Sequence, residues 1–502
     1  MKKNYAVTKV LQACLLFFMI ITTNVFGQVG IGTITPNASS VLDVSSTTQG
    51  MLTPRMTTVQ RTAISSPADG LMVYDTDLKS FFHYNTAIAS WNVINSATTG
   101  RSKFKRIKST DVLATVLAAE KTAGGGSKYL LDSETLYEIN GAINVDLPIE
   151  LNNAYVAGLD SGEDKLIKAN GDLFTGTTGG SIRVLTVVAS GASGNVFNIT
   201  GAGNQNLVFR DCIVANSANV GLIKGFSLVF VSIVQYVGNA NGIIYENINK
   251  LLINNAGWFG GGLPLGNSGT YEKIVGTFEQ VAKQGGFSEV SGSSIGFDVS
   301  GNPIINGDAV IESVVFTGSN AAGYVKPYTI GTYTGYNFNN NWNIRCAGIP
   351  TEGDSFASGN LYLDRTLTSP TLQMPSTTTA YKIPGTTVPT NLFRMDGATT
   401  NRIVYLGKKR RTFTVSASVS FEGGTGSADL LFYFVKFAVG GSPFNFVTSS
   451  ETFIDSNTAS VQSFPVSGTV TLSTGEYVEL YGQRLNGTNK IFTFRSYNIS
   501  MK

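Results

Sequence analysis

The feature that most restricts the fold of this chain is a spacing. The segment "NLVFRDCIV" begins at Asn206, "SLVFVSIVQ" at Ser227 and "KLLINNAGW" at Lys250, in steps of 21 and 23 residues. A second series, "NVFNITG" from Asn195, "NVGLIKG" from Asn219 and "NGIIYENIN" from Asn241, runs between them in steps of 24 and 22. Two strand series thus share one period near 22 residues, with Gly or Asn turns and no helical pattern between them. One coil of a parallel β-helix has these requirements. Val208, Cys212 and Val214 are expected to point inward and stack on Val229, Val231 and Ile233 of the next coil. Asn and Gly suit the corners because they adopt left-handed backbone at little cost. "SIRVLTVVASG" at Ser181, "KIVGTFEQVAK" at Lys273 and "AVIESVVFTG" at Ala309 extend the series. A β-sandwich with coincidental spacing is the competing reading.

The rest of the 502 residues divides around this shaft. Only 14% are charged and 56 are Gly, a balance that suits short strands and turns better than long solvated helices. Met1-Lys-Lys-Asn-Tyr5 followed by the apolar run Val10–Ile21 predicts a secretory signal peptide over 1–27, cleaved after Val25-Phe-Gly27. Cys14 precedes most of the apolar core rather than following it, so a lipid anchor is not expected. Without the leader, 33 basic residues balance 33 acidic ones, which leaves no global field for nucleic acid or anionic membrane. No second apolar run is long enough for a membrane span. Cys212 and Cys346 do not make a disulfide framework and read as buried thiols.

Four segments follow the leader: an N-terminal attachment module at 28–98, the parallel β-helix at 99–350, a Pro/Thr-rich extended connector at 351–400 with Pro370, Pro375, Pro384 and Pro389, and a compact set of about seven strands at 401–502. Regular strand spacing with turns such as Gly423-Gly-Thr-Gly favours a jelly roll in the last of these. Its closing stretch "GEYVELYGQRLNGTNKIFTFRSYNISMK" resembles the end of tumour-necrosis-factor-like and complement-type heads, which implies a trimer.

The opening module carries a second resemblance. Gly30-Ile-Gly-Thr, Pro36, Leu42-Asp-Val44, Gly50, Pro54-Arg-Met56, Gly70-Leu-Met-Val-Tyr74 and Trp91 match a pattern found in exported Bacteroidota proteins and in tail-fibre-like proteins of their phages. "KYLLDSETLYEINGAINVDLPIELNNAYVAGLDSGEDKL" through "YNFNNNWNI" similarly resembles tail-fibre shafts. The resemblance implies a trimeric fibre or spike with attachment at one end. A signal peptide serves no purpose in a tail assembled in the cytoplasm. A surface adhesin, or a virion protein exported to an envelope, removes that conflict.

Phage β-helices can cleave polysaccharides with paired carboxylates. Asp132 with Glu134, Asp146 with Glu150, and the cluster Asp160, Glu163 and Asp164 are the pairs available, and each also reads as a turn or solvated face. His83 is the only histidine, so a site of several imidazoles cannot form within one chain, and beside Phe81, Phe82 and Tyr84 it reads as a strand residue. "GNSGT" and "TAGGGSK" lack the spacing of a phosphate loop. Two basic clusters, Lys103, Lys105, Arg106 and Lys108, and Lys408, Lys409, Arg410 and Arg411, read as solvated turns, with acidic glycan as the minority reading.

Binding is the better-supported chemistry. "NNAGWFGGGLPLG" offers Trp258 and Phe259 in a Gly-rich excursion, and "GYNFNNNWNI" offers Tyr336, Phe338 and Trp342 among asparagines, as aromatic platforms for a glycan or receptor. A subunit contact or coil cap is the alternative use of the same residues. The sequence therefore predicts an all-β chain, a right-handed parallel β-helix shaft with a C-terminal jelly-roll head, homotrimeric and displayed on a cell, virion or extracellular surface. It is expected to bind a surface glycan or receptor, with a base protein at its other end, no cofactor, no metal and no catalytic residue. A depolymerase acting on the β-helix and a purely structural protein are the two alternatives.

Overall fold

The computed structural model describes residues 4–20, 27–94, 103–261, 266–457 and 459–502. Residues 21–26 just before the expected cleavage point, the 98/99 boundary and most of the Gly-rich excursion after Gly261 lie outside these residues. Residues 1–100 and 101–502 are separate compact units.

In the first unit, Asn4–Ile20 is a helix, and no described helix is long and apolar enough to cross a membrane. Val29–Ile31 pairs in parallel with Leu42–Val44, and the side chains of Val29, Ile31, Val41, Leu42, Met51 and Leu52 all remain exposed. A small four-stranded sheet follows, from Arg55–Met56, Met72–Asp75, Ser80–Asn85 and Ser90–Val93. Its short helix Thr58–Thr62 begins with a capping box between Thr57 and Gln60. Arg61 on that helix is buried against Asp75 at 2.9 Å and lies 3.9 Å over the Phe82 ring. His83 is a strand residue opposite Met72 and Asn92.

The second unit contains the shaft and the head. From Lys103–Lys108 to Trp342–Ala347 the described strands form one 20-stranded, parallel, curled sheet resembling a β-helix, with Thr277–Phe278 and Ile304–Ile305 pairing in parallel beside it. The 22-residue step is followed where Leu228 pairs with Lys250, but Lys250 pairs onward with Gln280, because the excursion after Trp258 lengthens that coil.

Corners explain both the repeat and an error in reading it. Val184, Asp211, Ile233, Asn255, Gly285 and Ser313 all have left-handed backbone, with φ between 50° and 65°. The registers place them in one column, one per coil. Gly225, Asn247 and Gly276 form a second such column. A left-handed residue adds one position to the strict alternation of a strand, so the parity of inward residues reverses across it. Leu207 and Phe209 point inward before Asp211, and Cys212 and Val214 after it. Val208 therefore faces out. Val229 and Val231 are buried as expected, but Ile233 is the corner itself and 53% exposed, with Val234 and Tyr236 taking the inward places.

The head is a sandwich of two antiparallel sheets. One has the order 387–393, 358–363, 491–501, 411–423, 461–472, and the other 395–396, 403–405, 477–487, 428–437, 444–446. Residues 351–400 are thus not an extended connector: they supply strands to both sheets. Thr-rich runs have high strand propensity, and Pro389 is tolerated because Thr387–Phe393 is an edge strand. A single core built on Leu361, Phe421, Phe432, Phe434 and Leu480 lies between the sheets.

Candidate functional site

The aromatic residues singled out from sequence are mostly structural. Trp258 ends the strand Ile243–Trp258 with its side chain inside the shaft, stacked 3.8 Å from Tyr236 and 5.1 Å from Tyr271. Its indole N–H donates to Glu272 Oε1 at 3.1 Å, and Glu272 is paired at 2.8 Å with an equally buried Lys283. Burial holds the Tyr236 phenol far above its usual value. A ring enclosed in this way cannot bind a ligand. Phe259 is half-buried and meets Phe287 edge-on at 5.0 Å.

Tyr336, Phe338 and Trp342 belong to the joint between shaft and head. Phe338 and Trp342 are fully buried, and Tyr336 stacks on Phe393 of the head at 3.9 Å. The carboxylate of Glu352 accepts the Asn337 and Phe338 amides at 2.7 and 2.9 Å, which fixes the turn that carries these rings. Burial pushes Glu352 up to about 7, against the pull of those amides and of Arg394. Arg394 donates to Asp354 and, at 2.5 Å, to the Trp342 carbonyl. These residues are a structural joint rather than a ligand platform, and no motif marks Glu352 or Arg394 as its centre.

None of the carboxylate pairs is arranged as an acid and a base. Asp132 is held below its usual range, first by Lys103 at 2.7 Å. Burial would raise Glu150, but Lys128 at 2.5 Å and the Thr177 amide lower it. Asp164 is buried as a turn anchor, and the amides of Gly141, Asp160 and Leu159 outweigh its desolvation. Asp146 accepts the Tyr129 hydroxyl at 2.8 Å, and Glu163 is exposed. Among the described residues no cluster of His, Cys, Asp and Glu could hold a metal ion.

The basic clusters are also engaged. Lys103, Lys105 and Arg106 pair with Asp132, Glu120 and Glu138. Lys408 reaches Asp308 and the Gly307 carbonyl across the joint, while the Lys409 amide and the Arg411 guanidinium bond Asp354.

A groove of about 430 Å³ on the shaft has the composition of a binding site. One wall is a ladder of amides, Asn195, Asn219 and Asn241, ending in Thr270. The Asn241 side chain donates to Asn219 Oδ1 at 3.1 Å, and Asn195 donates to Asp172 at 2.6 Å, which aligns the ladder. The opposite wall is Leu222, Ile244 and Lys273, one residue per coil. Gly221 and Gly242 form the floor, where an added Cβ would meet the Phe197 and Tyr271 carbonyls at 2.0 and 1.9 Å. An apolar edge facing a polar edge, repeated at the coil spacing of about 4.8 Å, suits a linear hydroxylated polymer. The signal was present in the sequence, since each segment of the second repeat series begins with one of these asparagines.

Comparison with known proteins bears on the N-terminal part of the chain. Residues 30–109 match the phage tail like trimerisation region. The matched residues include the small sheet of the first unit and the first strand of the shaft. No curated protein matches the chain. Solved structures similar to it include the enzymatically active domain of bacteriophage CBA120 tailspike protein 4, at 10% identity over 90% of this chain and 77% of that one, TM-score 0.22. Geobacillus virus E2 ORF18 is similar at 10% identity over 84% of this chain and 89% of that one, TM-score 0.22. Murine APRIL is similar at 10% identity over 29% of this chain and 98% of that one, TM-score 0.20.

Proposed function

We propose that this protein is a homotrimeric tail-fibre-like or spike-like protein that attaches to a cell-surface glycan or receptor. The observation that carries the reading is the trimerisation region, in which a single chain leaves Val29, Ile31, Leu42, Met51 and Leu52 uncovered. Apolar side chains along so short a pair of strands have no core to join within one chain, and neighbouring copies supply it. On the head, one sheet carries a second apolar cluster of Tyr433, Phe437 and Tyr477 on the face away from the core, buried within the chain, and Phe444 and Phe446 beside it stay exposed to a neighbouring copy.

Attachment is assigned to the asparagine groove, where a polysaccharide chain lies along the shaft with its ring faces on Leu222 and Ile244 and its hydroxyls on the amides. The protein works on a virion, extracellular or cell surface, with a base protein at the end that carries the trimerisation region. Export by a leader at 1–27 fits the bacterial-adhesin form of this reading. The groove contains no carboxylate among its lining residues, which favours binding over cleavage there.

The test is to incubate purified protein with host capsule or lipopolysaccharide, measuring retention and new reducing ends. Retention without new ends, abolished by Ile244→Arg, is expected. New reducing ends would establish a depolymerase, and retention unaffected by Ile244→Arg would remove the groove from the account.

A further inference from the structure

The outward face of one shaft sheet carries a continuous stripe. The parallel registers align Phe104 with Leu136, Leu136 with Tyr155, Tyr155 with Ser181 and Ser181 with Val208. They continue through Phe230, Leu252, Ala282 and Val310. All but Ser181 are apolar or aromatic, and from Leu136 onward the apolar members have inward-pointing neighbours on both sides, such as Leu207 and Phe209 around Val208 or Leu251 and Ile253 around Leu252, whereas Phe104 lies between Lys103 and Lys105, which pair with Asp132 and Glu120. Phe104 is 54% and Tyr155 39% exposed, and Leu136, Val208, Phe230, Leu252, Ala282 and Val310 are half-buried.

Outward-facing strand positions on a solvated sheet are ordinarily polar. Here the polar residues occupy the two flanking columns instead. Asn206, Lys250 and Gln280 lie on one side, interrupted by Leu228, and Arg210, Ser232, Asn254 and Gln284 on the other. An apolar centre with a polar rim is the anatomy of a protein interface.

We infer that this stripe is the face through which three copies of the shaft pack against one another along a common axis. The inference rests on the trimer reading and says where, beyond the trimerisation region, the chains meet. Two observations commit the stripe to a second copy. It begins at Phe104, inside residues 30–109 that match the trimerisation region, so the stripe starts in the stretch of sequence to which the trimer contact is assigned. Its rims are also compatible with self-association. When parallel copies meet in register, each coil sets its own two rims against each other: Lys250 with Asn254, Gln280 with Gln284, and Asn206 with Arg210. No two like charges oppose at these three levels; Glu134 with Glu138 beside Leu136, and Asp308 with Glu312 beside Val310, are like-charged, and each of these carboxylates is paired within its own chain, with Lys103, Arg106, Lys408 and Arg345. The asparagine groove lies on a different strand series, around Leu222 and Ile244, so packing at the stripe leaves it open to ligand.

Site-directed cross-linking of the full chain tests this. With Cys14 and Cys346 replaced by Ser, and Cys212 left in the core, Leu252→Cys and separately Phe230→Cys are treated with a short bis-maleimide, with Ile244→Cys as the control on the groove face. The unreacted wild-type chain is sized by light scattering in parallel. The expected result is a trimeric wild-type mass, with most of the Leu252→Cys and Phe230→Cys chains in covalent dimers and the Ile244→Cys chains left as single species. A trimeric mass with no cross-link at 252 or 230, or with cross-linking at 244 instead, overturns the stripe while the trimer stands. A monomeric wild-type mass overturns the trimer reading itself.

Discussion

Ile233 is a β-branched residue held in left-handed backbone at φ 53°, in a column whose other members include Asp211, Asn255 and Gly285. Left-handed backbone costs an ordinary L-residue about 1–2 kcal/mol, and a branched Cβ adds crowding, whereas Asn accepts it readily. With the side chain half exposed, replacement forfeits less than about 1 kcal/mol of burial. Ile233→Asn is therefore expected to stabilise the shaft by roughly 0.5–1 kcal/mol per chain, and Ile233→Ala, which loses the same contacts without gaining a tolerant backbone, to be neutral or destabilising. Urea unfolding followed by far-ultraviolet circular dichroism reads both, and the difference between the Asn and Ala midpoints isolates the backbone contribution. An Ile233→Asn variant no more stable than Ile233→Ala would refute the reasoning, because strain at this corner could then not be the dominant effect of Ile233.

Three further outcomes follow from the same structure. Lys283→Met leaves the Glu272 carboxylate uncompensated inside the shaft and is expected to cost about 3–5 kcal/mol, read as a lowered urea midpoint, with the double change Lys283→Met and Glu272→Gln recovering part of the loss. Trp258→Ala removes the central ring of the Tyr236 and Tyr271 stack and is expected to cost about 3–5 kcal/mol in the same assay, which a ligand-binding role for an exposed ring would not produce. The joint is expected to be sensitive to pH through Glu352, whose folded value of about 7 stands above its ordinary 4.5. The folded chain keeps a proton there that the unfolded chain releases, so the stability contributed by this group falls as pH rises from about 4.5 to 7 and is level above that, by up to about 3 kcal/mol. Thermal unfolding at pH 5 and pH 8 measures it, and a Glu352→Leu variant that kept the same difference would remove Glu352 as the cause.

What could be read from the sequence, and what could not, follows from how parallel coils are built. Stacking identical strand positions imposes a repeat on the apolar residues, so the 206–258 coils and their Asn and Gly corners were visible without a structure. The outward place of Val208 and the corner place of Ile233 were not, because one left-handed residue per corner reverses the alternation and its position is set by the neighbouring coil. Trp258 looked like part of a loop because glycines follow it, yet it is the last strand residue before them. Residues 351–400 looked like a connector because Pro and Thr mark extended chain, and extended chain at a sheet edge is a strand. The amides of Asn195, Asn219 and Asn241 were in view as repeat markers, but only the coil registers bring them into one wall.

The assembly on which the account depends is tested most directly by the mass of the full-length chain in solution, measured by light scattering at micromolar concentration. The account predicts a mass three times that of one chain, held across dilution. A mass equal to one chain at that concentration would contradict it.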